Sequence, residues 1–194
     1  MATHRLTFPT TEERIRELRA GDEVTVDGHV IGIRDRTQIR IFDQGMEPPM
    51  DLTGAFLLHT APGVRKLEDG RYEKVCIGTT TSARMVRFTE PLGERYGVRA
   101  ICGKGGFPDE AIEPMRRLGM VYFAIVGGAA ALETTQIEEI EEVAWEELMP
   151  ECLWKFRVKD FGPLTVGIDA HGESLYKTVQ DEARKRLEDI FARL

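Results

Sequence analysis

A chain of 194 residues, 42% hydrophobic and 30% charged, is long enough to bury a core and short enough to form one domain over 1–194. Its 26 Lys and Arg against 33 Asp and Glu give a formal net charge of −7, which argues against a polyanionic partner and therefore against nucleic acid. The longest apolar run, Val121 to Leu132, is broken by Gly127 and Gly128 and falls short of the ~20 residues of a spanning helix; the N-terminal stretch lacks the apolar centre of a secretion signal, and three scattered cysteines point to a reducing compartment, so a cytoplasmic chain without a membrane partner is expected.

In chain order, Thr10 and Glu13 have the spacing of a capping box, and Ile15 and Leu18 follow at helical spacing before Gly21, which predicts a short first helix. Val24 and Val26 alternate with polar residues, Asp27-Gly28 is a hairpin-turn dipeptide, and Val30, Ile31 and Ile33 resume an apolar strand, so a β-hairpin is predicted. Three arginines follow between Arg34 and Arg40, and Pro48-Pro49 breaks regular structure before the apolar run Ala55 to Leu58. The first third reads as mainly β.

From Tyr72 the pattern becomes strand, loop, helix, repeated. Strands are predicted at Tyr72 to Ile77, Val98 to Cys102 and Val121 to Val126, with helical faces at Met85, Phe88 and Leu92 and at Ile112, Met115 and Leu118. Two successive crossovers of this kind favour a parallel sheet with right-handed connections, hence an α/β fold. The acid-rich stretch Ile137 to Leu148 places Ile137, Ile140 and Ala144 on one helical face, with its glutamates read as a solvated surface. Trp154, Phe156 and Val158 alternate, Leu164 to Ile168 is a short strand, and Leu175, Val179, Ala183, Leu187 and Ile190 mark a terminal amphipathic helix.

Chemistry concentrates in two strand-to-helix loops. In an open α/β sheet, loops at the carboxyl ends of strands share a crevice, and the helix N-termini behind them attract anions. The first loop, GTTTSAR, supplies hydroxyls and Arg84, which a helix beginning near Thr80 would place on the same face as that threonine. The second brings Lys104 between glycines, and Arg34 stands just after an earlier strand. Two guanidinium forks and an ammonium suit a small substrate with two carboxylates. The alternative is that Arg34 and Arg84 pair with surface acids, while the threonines cap the helix and the glycines turn the chain.

Other motifs fail. GxxxxGK[ST] and GxGxxG are not matched, no GxSxG elbow is present, and Cys76, Cys102 and Cys152 form no CxxC or Cys/His cluster. Of the four histidines, His171 in DAHG is the most site-like, with a turn histidine bonding backbone as the competing reading.

The ordered set LRAGDEVTVDGHVIGIRD, TTTSARM, GKGG, VYFAIVGGAAAL and DFGPLTVGIDAHGESLY resembles the β-subunit or C-terminal type of iron–sulfur class I fumarases and L(+)-tartrate dehydratases. The resemblance implies a swivelling β/β/α domain and a hydro-lyase acting with an α subunit whose cysteines hold a [4Fe–4S] cluster, in a hetero-oligomer. It places the family's arginine of RD on Arg34, its TxxxR on Thr80 and Arg84, and its lysine of GKG on Lys104. The arginines and the lysine would grip the carboxylates of a dicarboxylate, Thr80 would take the proton from carbon, and the acid for the departing hydroxyl would come from the α subunit. Thr79 stands where family members carry proline, and Thr60-Ala61-Pro62 where they carry AGP, which leaves the segment His59 to Pro62 without an assigned role. Fumarate and (S)-malate are the leading substrates on this reading, tartrate the alternative, and a non-catalytic anion-binding module the rival class.

Overall fold

The computed structural model describes residues 1–128, 130–191 and 193. Its elements run β1 (Thr3–Phe8), α1 (Glu12–Arg16), β2 (Glu23–Ile33), α2 (Asp35–Phe42), β3 (Phe56–His59), β4 (Gly63–Lys66) and β5 (Tyr72–Cys76). There follow a 3-10 helix (Ala83–Phe88), α3 (Thr89–Tyr96), β6 (Ala100–Gly103), α4 (Ile112–Leu118), β7 (Val121–Ala124), α5 (Ala131–Thr135), β8 (Ile137–Ala144), β9 (Leu153–Ile168) and α6 (Leu175–Phe191).

Among the described residues seven strands form one mixed sheet in the order β1-β2-β3-β6-β7-β9-β8, and β2 pairs with β9 as well. Strands β2, β3, β6 and β7 are parallel, and β9 runs antiparallel to both β7 and β2, so the sheet closes on itself. Alternation along each strand decides what each face buries. Phe56, Leu58, Ala100, Cys102, Val121 and Phe123 point inward against Trp154, Phe156 and Phe161. Leu57, Ile101 and Tyr122 point outward, beneath the helical layer of Met85, Phe88, Leu92 and Met115. This is the α/β architecture, and burying each of these large side chains contributes about 1.5–3 kcal/mol.

Five expectations are corrected. Asp27-Gly28 makes no hairpin: β2 is one continuous strand, and Gly28, at φ 94°, is required because a Cβ there would lie 2.3 Å from the Phe8 carbonyl oxygen of β1. The strand Tyr72–Cys76 belongs to an antiparallel two-stranded ribbon with β4, and the strand that pairs in parallel with β6 is β3. The acid-rich helix is the strand β8, paired antiparallel to β9, with Arg157 ion-paired to Glu139 at 2.6 Å. The two short strands expected between Trp154 and Ile168 are the single strand β9. At the first helix the N-cap is Thr11 and not Thr10, and it makes no side-chain capping bond. Val179, Leu187 and Ile190 of α6 are exposed. Among the described residues no helix is long and apolar enough to cross a membrane.

Candidate functional site

The carboxyl ends of β2, β3, β6 and β7 lie along one edge of the sheet. Strands β3 and β6 pair as far as Leu58 and Cys102, and beyond that point the segment Thr80–Ser82 takes the place between them. The Thr80 N–H donates to the His59 carbonyl at 2.9 Å, the Lys104 N–H to the Thr80 carbonyl at 3.1 Å, and the Ser82 N–H to the Lys104 carbonyl at 3.1 Å. Thr80 is therefore held as a strand residue and not on a helix, which begins only at Ala83. The expected helical face shared with Arg84 is replaced by a direct contact, Arg84 NH1 to the Thr81 carbonyl at 3.3 Å.

Two glycines make the wedge possible. Any Cβ on Gly103 would stand 2.1 Å from Ser82 Oγ and 3.1 Å from the Thr80 carbonyl oxygen, and one on Gly78, at φ 59°, would stand 2.2 Å from the Ala61 carbonyl oxygen. The Thr79 hydroxyl ties the same segment to the end of β7 by donating to the Val126 carbonyl at 3.1 Å.

Beneath the wedge lies a buried polar chain. His59 Nδ1 is 2.9 Å from Ser82 Oγ, and the Tyr122 hydroxyl is 3.1 Å from Ser82 Oγ and 2.8 Å from the Gly103 carbonyl oxygen. One phenolic proton cannot serve both contacts. With that proton on the Gly103 carbonyl, Ser82 O–H donates to Tyr122 and His59 Nδ1–H to Ser82, which leaves Nε2 unprotonated. Nε2 is buried without a partner among the described residues. Burial pushes the imidazole down to about 3, so His59 is neutral, and burial pushes the Tyr122 phenol up, so it stays a donor.

The four predicted residues fall into two pairs. Thr80 and Lys104 are neighbours in the backbone ladder just described. Thr80 is 7% exposed and its hydroxyl has no partner among the described residues. Lys104 has no ion pair among the described residues, and its Cδ lies 3.3 Å from where a Cβ of Gly127 would be. Arg34 and Arg84 meet on one carboxylate: Arg84 Nε and NH2 reach Asp35 Oδ1 and Oδ2 at 2.8 Å each, and Arg34 Nε reaches Oδ2 at 3.2 Å. Burial pushes the Asp35 carboxyl up, but the Arg84 and Arg34 hydrogen bonds and the Arg84 charge outweigh it and hold the group below the usual carboxylate range. Glu151 lies 3.7 Å from Arg34 Nε and accepts the Arg36 N–H at 3.0 Å. The sequence reading had set these arginines either on a ligand or on acids of the chain, and the structure shows the acid it did not name. The adjacency Arg34-Asp35 was the available signal.

His171 lies at the other end of the sheet, since Ile168 of β9 pairs with Tyr122 near the start of β7. Its N–H donates to Asp169 at 2.9 Å and its Nε2 meets the Arg16 carbonyl at 2.9 Å, the turn reading. A concavity away from this edge is lined by Tyr72, Lys74 and Glu138–Ile140.

The sequence profile of the fumarase C-terminus family matches residues 2–179. The L(+)-tartrate dehydratase subunit beta of Escherichia coli (strain K12) is 41% identical over 171 residues, 88% of this chain and 85% of that protein. A putative L(+)-tartrate dehydratase subunit beta of Methanocaldococcus jannaschii is 34% identical over 185 residues, 93% of this chain and 94% of that protein. A putative fumarate hydratase class I of Geobacillus stearothermophilus is 36% identical over 183 residues, 94% of this chain but 35% of that longer protein.

Proposed function

The chain belongs to the fumarase C-terminus family of class I fumarate hydratases and L(+)-tartrate dehydratases, and on that premise we propose that it is the β subunit of a hydro-lyase acting on a four-carbon hydroxydicarboxylate. The observation that carries this reading is the wedge between β3 and β6: it makes Thr80, whose hydroxyl has no partner among the described residues, a backbone neighbour of Lys104, and Arg84, which shares Asp35 with Arg34, reaches the Thr81 carbonyl of the same segment at 3.3 Å. Arg34, Arg84 and Lys104 hold the substrate carboxylates, because guanidinium forks and an ammonium match four carboxylate oxygens. Thr80, ionised in the field of those cations once water is excluded, takes the proton from carbon as the hydroxyl leaves the neighbouring carbon and the double bond forms. The proton for that hydroxyl is assigned to a side chain of the α subunit.

The donor set of this chain does not fit an iron–sulfur cluster. Burial pushes the Cys102 thiol well up and the Cys152 thiol up to about 11, Cys76 stands apart on β5, and no group of metal-ligating side chains forms among the described residues. The [4Fe–4S] cluster that the family resemblance implies is therefore assigned to the α subunit.

Between substrates, the two relatives that match along nearly their whole length are named for tartrate, and this favours tartrate over the fumarate and malate pair that led on motifs alone. Malate and fumarate stand as the second reading, favoured by the Geobacillus stearothermophilus relative. The test is anaerobic co-expression with the companion α chain, followed by assays on tartrate, malate and fumarate. Turnover of one of these by the complex, and none by the isolated chain, is expected. A complex that carries its cluster and turns over none of the three would overturn the reading.

A further inference from the structure

A guanidinium has five N–H groups, and at Arg84 three are spent within the chain: Nε and NH2 on the two oxygens of Asp35 at 2.8 Å, and NH1 on the Thr81 carbonyl at 3.3 Å. Two remain, one on each terminal nitrogen, the number a carboxylate fork takes. Asp35 is itself fixed as the first residue of α2, only 27% of its side chain is exposed, and the Arg34 Nε contact at 3.2 Å loads its Oδ2 a second time. Glu151, which receives the Arg36 N–H at 3.0 Å, braces the same turn from the segment before β9. Arg84 has 45% of its side chain exposed, and an exposed arginine without such partners samples many rotamers.

We propose that Asp35 is a positioning residue: it clamps the inner edge of Arg84 against α2 and so presents the two remaining N–H groups, preorganised, to a carboxylate of the substrate. This rests on the hydroxydicarboxylate reading above and extends it to a residue that touches no reacting atom. A competing effect has the opposite sign. A carboxylate between Arg34 and Arg84 cancels positive charge where an anion binds, so by charge alone its removal would tighten binding. Preorganisation predicts that its removal weakens binding, because the freed fork must be ordered again at each encounter.

Asp35→Asn keeps the shape and one acceptor and deletes the charge. In the assembled αβ complex we expect KM for the dicarboxylate to rise at least tenfold, with a smaller change in kcat, and Asp35→Glu to recover part of the loss. A second readout uses the isolated full-length chain, where modification of Arg84 by phenylglyoxal, followed by peptide mass spectrometry, is expected to be several-fold faster in Asp35→Asn than in wild type. A KM in Asp35→Asn that is unchanged or lower overturns the positioning role, and so does an unchanged Arg84 modification rate in a variant with wild-type melting temperature. A wild-type complex inactive on every dicarboxylate overturns the reading of the ligand instead, and the modification rates still decide whether the clamp exists.

Discussion

The buried imidazole under the wedge ties the stability of the site to pH. His59 is fully buried and held neutral in the folded chain, with its imidazole pushed down to about 3, whereas in the unfolded chain it takes up a proton near 6.5. A group with a depressed folded value contributes stability that is present above the unfolded value and is lost as pH falls toward the folded one. The window here therefore runs from about 6.5 down to about 3. Between pH 7 and pH 5 the unfolded chain gains most of a proton that the folded chain refuses, which costs about 2 kcal/mol. His59→Asn isolates this contribution, because an amide N–H can still donate to Ser82 and does not titrate, while every other titrating group is common to both proteins. Urea unfolding at the two pH values is the assay: wild type should lose about 2 kcal/mol more than His59→Asn, a difference of about 1 M in midpoint at ordinary denaturant slopes. Equal pH dependence of the two proteins would refute the buried neutral histidine.

Three other substitutions bear on the wedge and its cations. Thr80→Val removes a hydroxyl that has no partner among the described residues and leaves both backbone bonds, so unfolding free energy should stay within ~0.5 kcal/mol of wild type while kcat in the complex falls ~10² or more. A variant that keeps its kcat removes Thr80 from the proton transfer. Gly103→Ala drives a methyl into Ser82 Oγ and should cost roughly 1–3 kcal/mol in denaturant unfolding, together with most of the activity. Arg84→Lys keeps the charge but loses the fork that both Asp35 and a carboxylate use, and kcat/KM should fall more than ~10-fold; kinetics equal to wild type would detach Arg84 from the substrate.

Where the sequence misled, a local irregularity of the sheet is the cause. Strand β8 carries apolar residues at Ile137, Ile140, Val143 and Ala144, and Ile137, Ile140 and Ala144, three and then four apart, read as a helical face. The spacing arises because its pairing with β9 shifts register between Ile137 and Glu139 and again between Ile140 and Glu142, so two extra residues bulge out and a period of two becomes three. Asp27-Gly28 misled in a related way, since its glycine answers to the backbone of β1 and not to a turn. Strands β6 and β7 and the loops at their ends were legible, because apolar runs bounded by glycines mark buried parallel strands wherever they fall. Arg34, Thr80, Arg84 and Lys104 were named from such loops and from the family resemblance, and the substitutions above test them. Asp35 and the His59, Ser82 and Tyr122 chain were not, because a partner that depends on folding leaves no period in the sequence, and Tyr122 lies 40 positions from the serine it meets.

The placement of Thr80 between β3 and β6 also settles what can move. Its neighbours hold it with the same kind of ladder bond that holds the strands, so amide exchange at Thr80, Ser82 and Lys104 requires opening the closed sheet and not the flicker of a surface loop. The ordering entropy of the segment, roughly 1–2 kcal/mol per residue, is met once, when the chain folds, and not again at each turnover. The Thr80–Ser82 segment is therefore not a lid: it keeps the Thr80 and Lys104 backbones at a fixed spacing whatever approaches the edge.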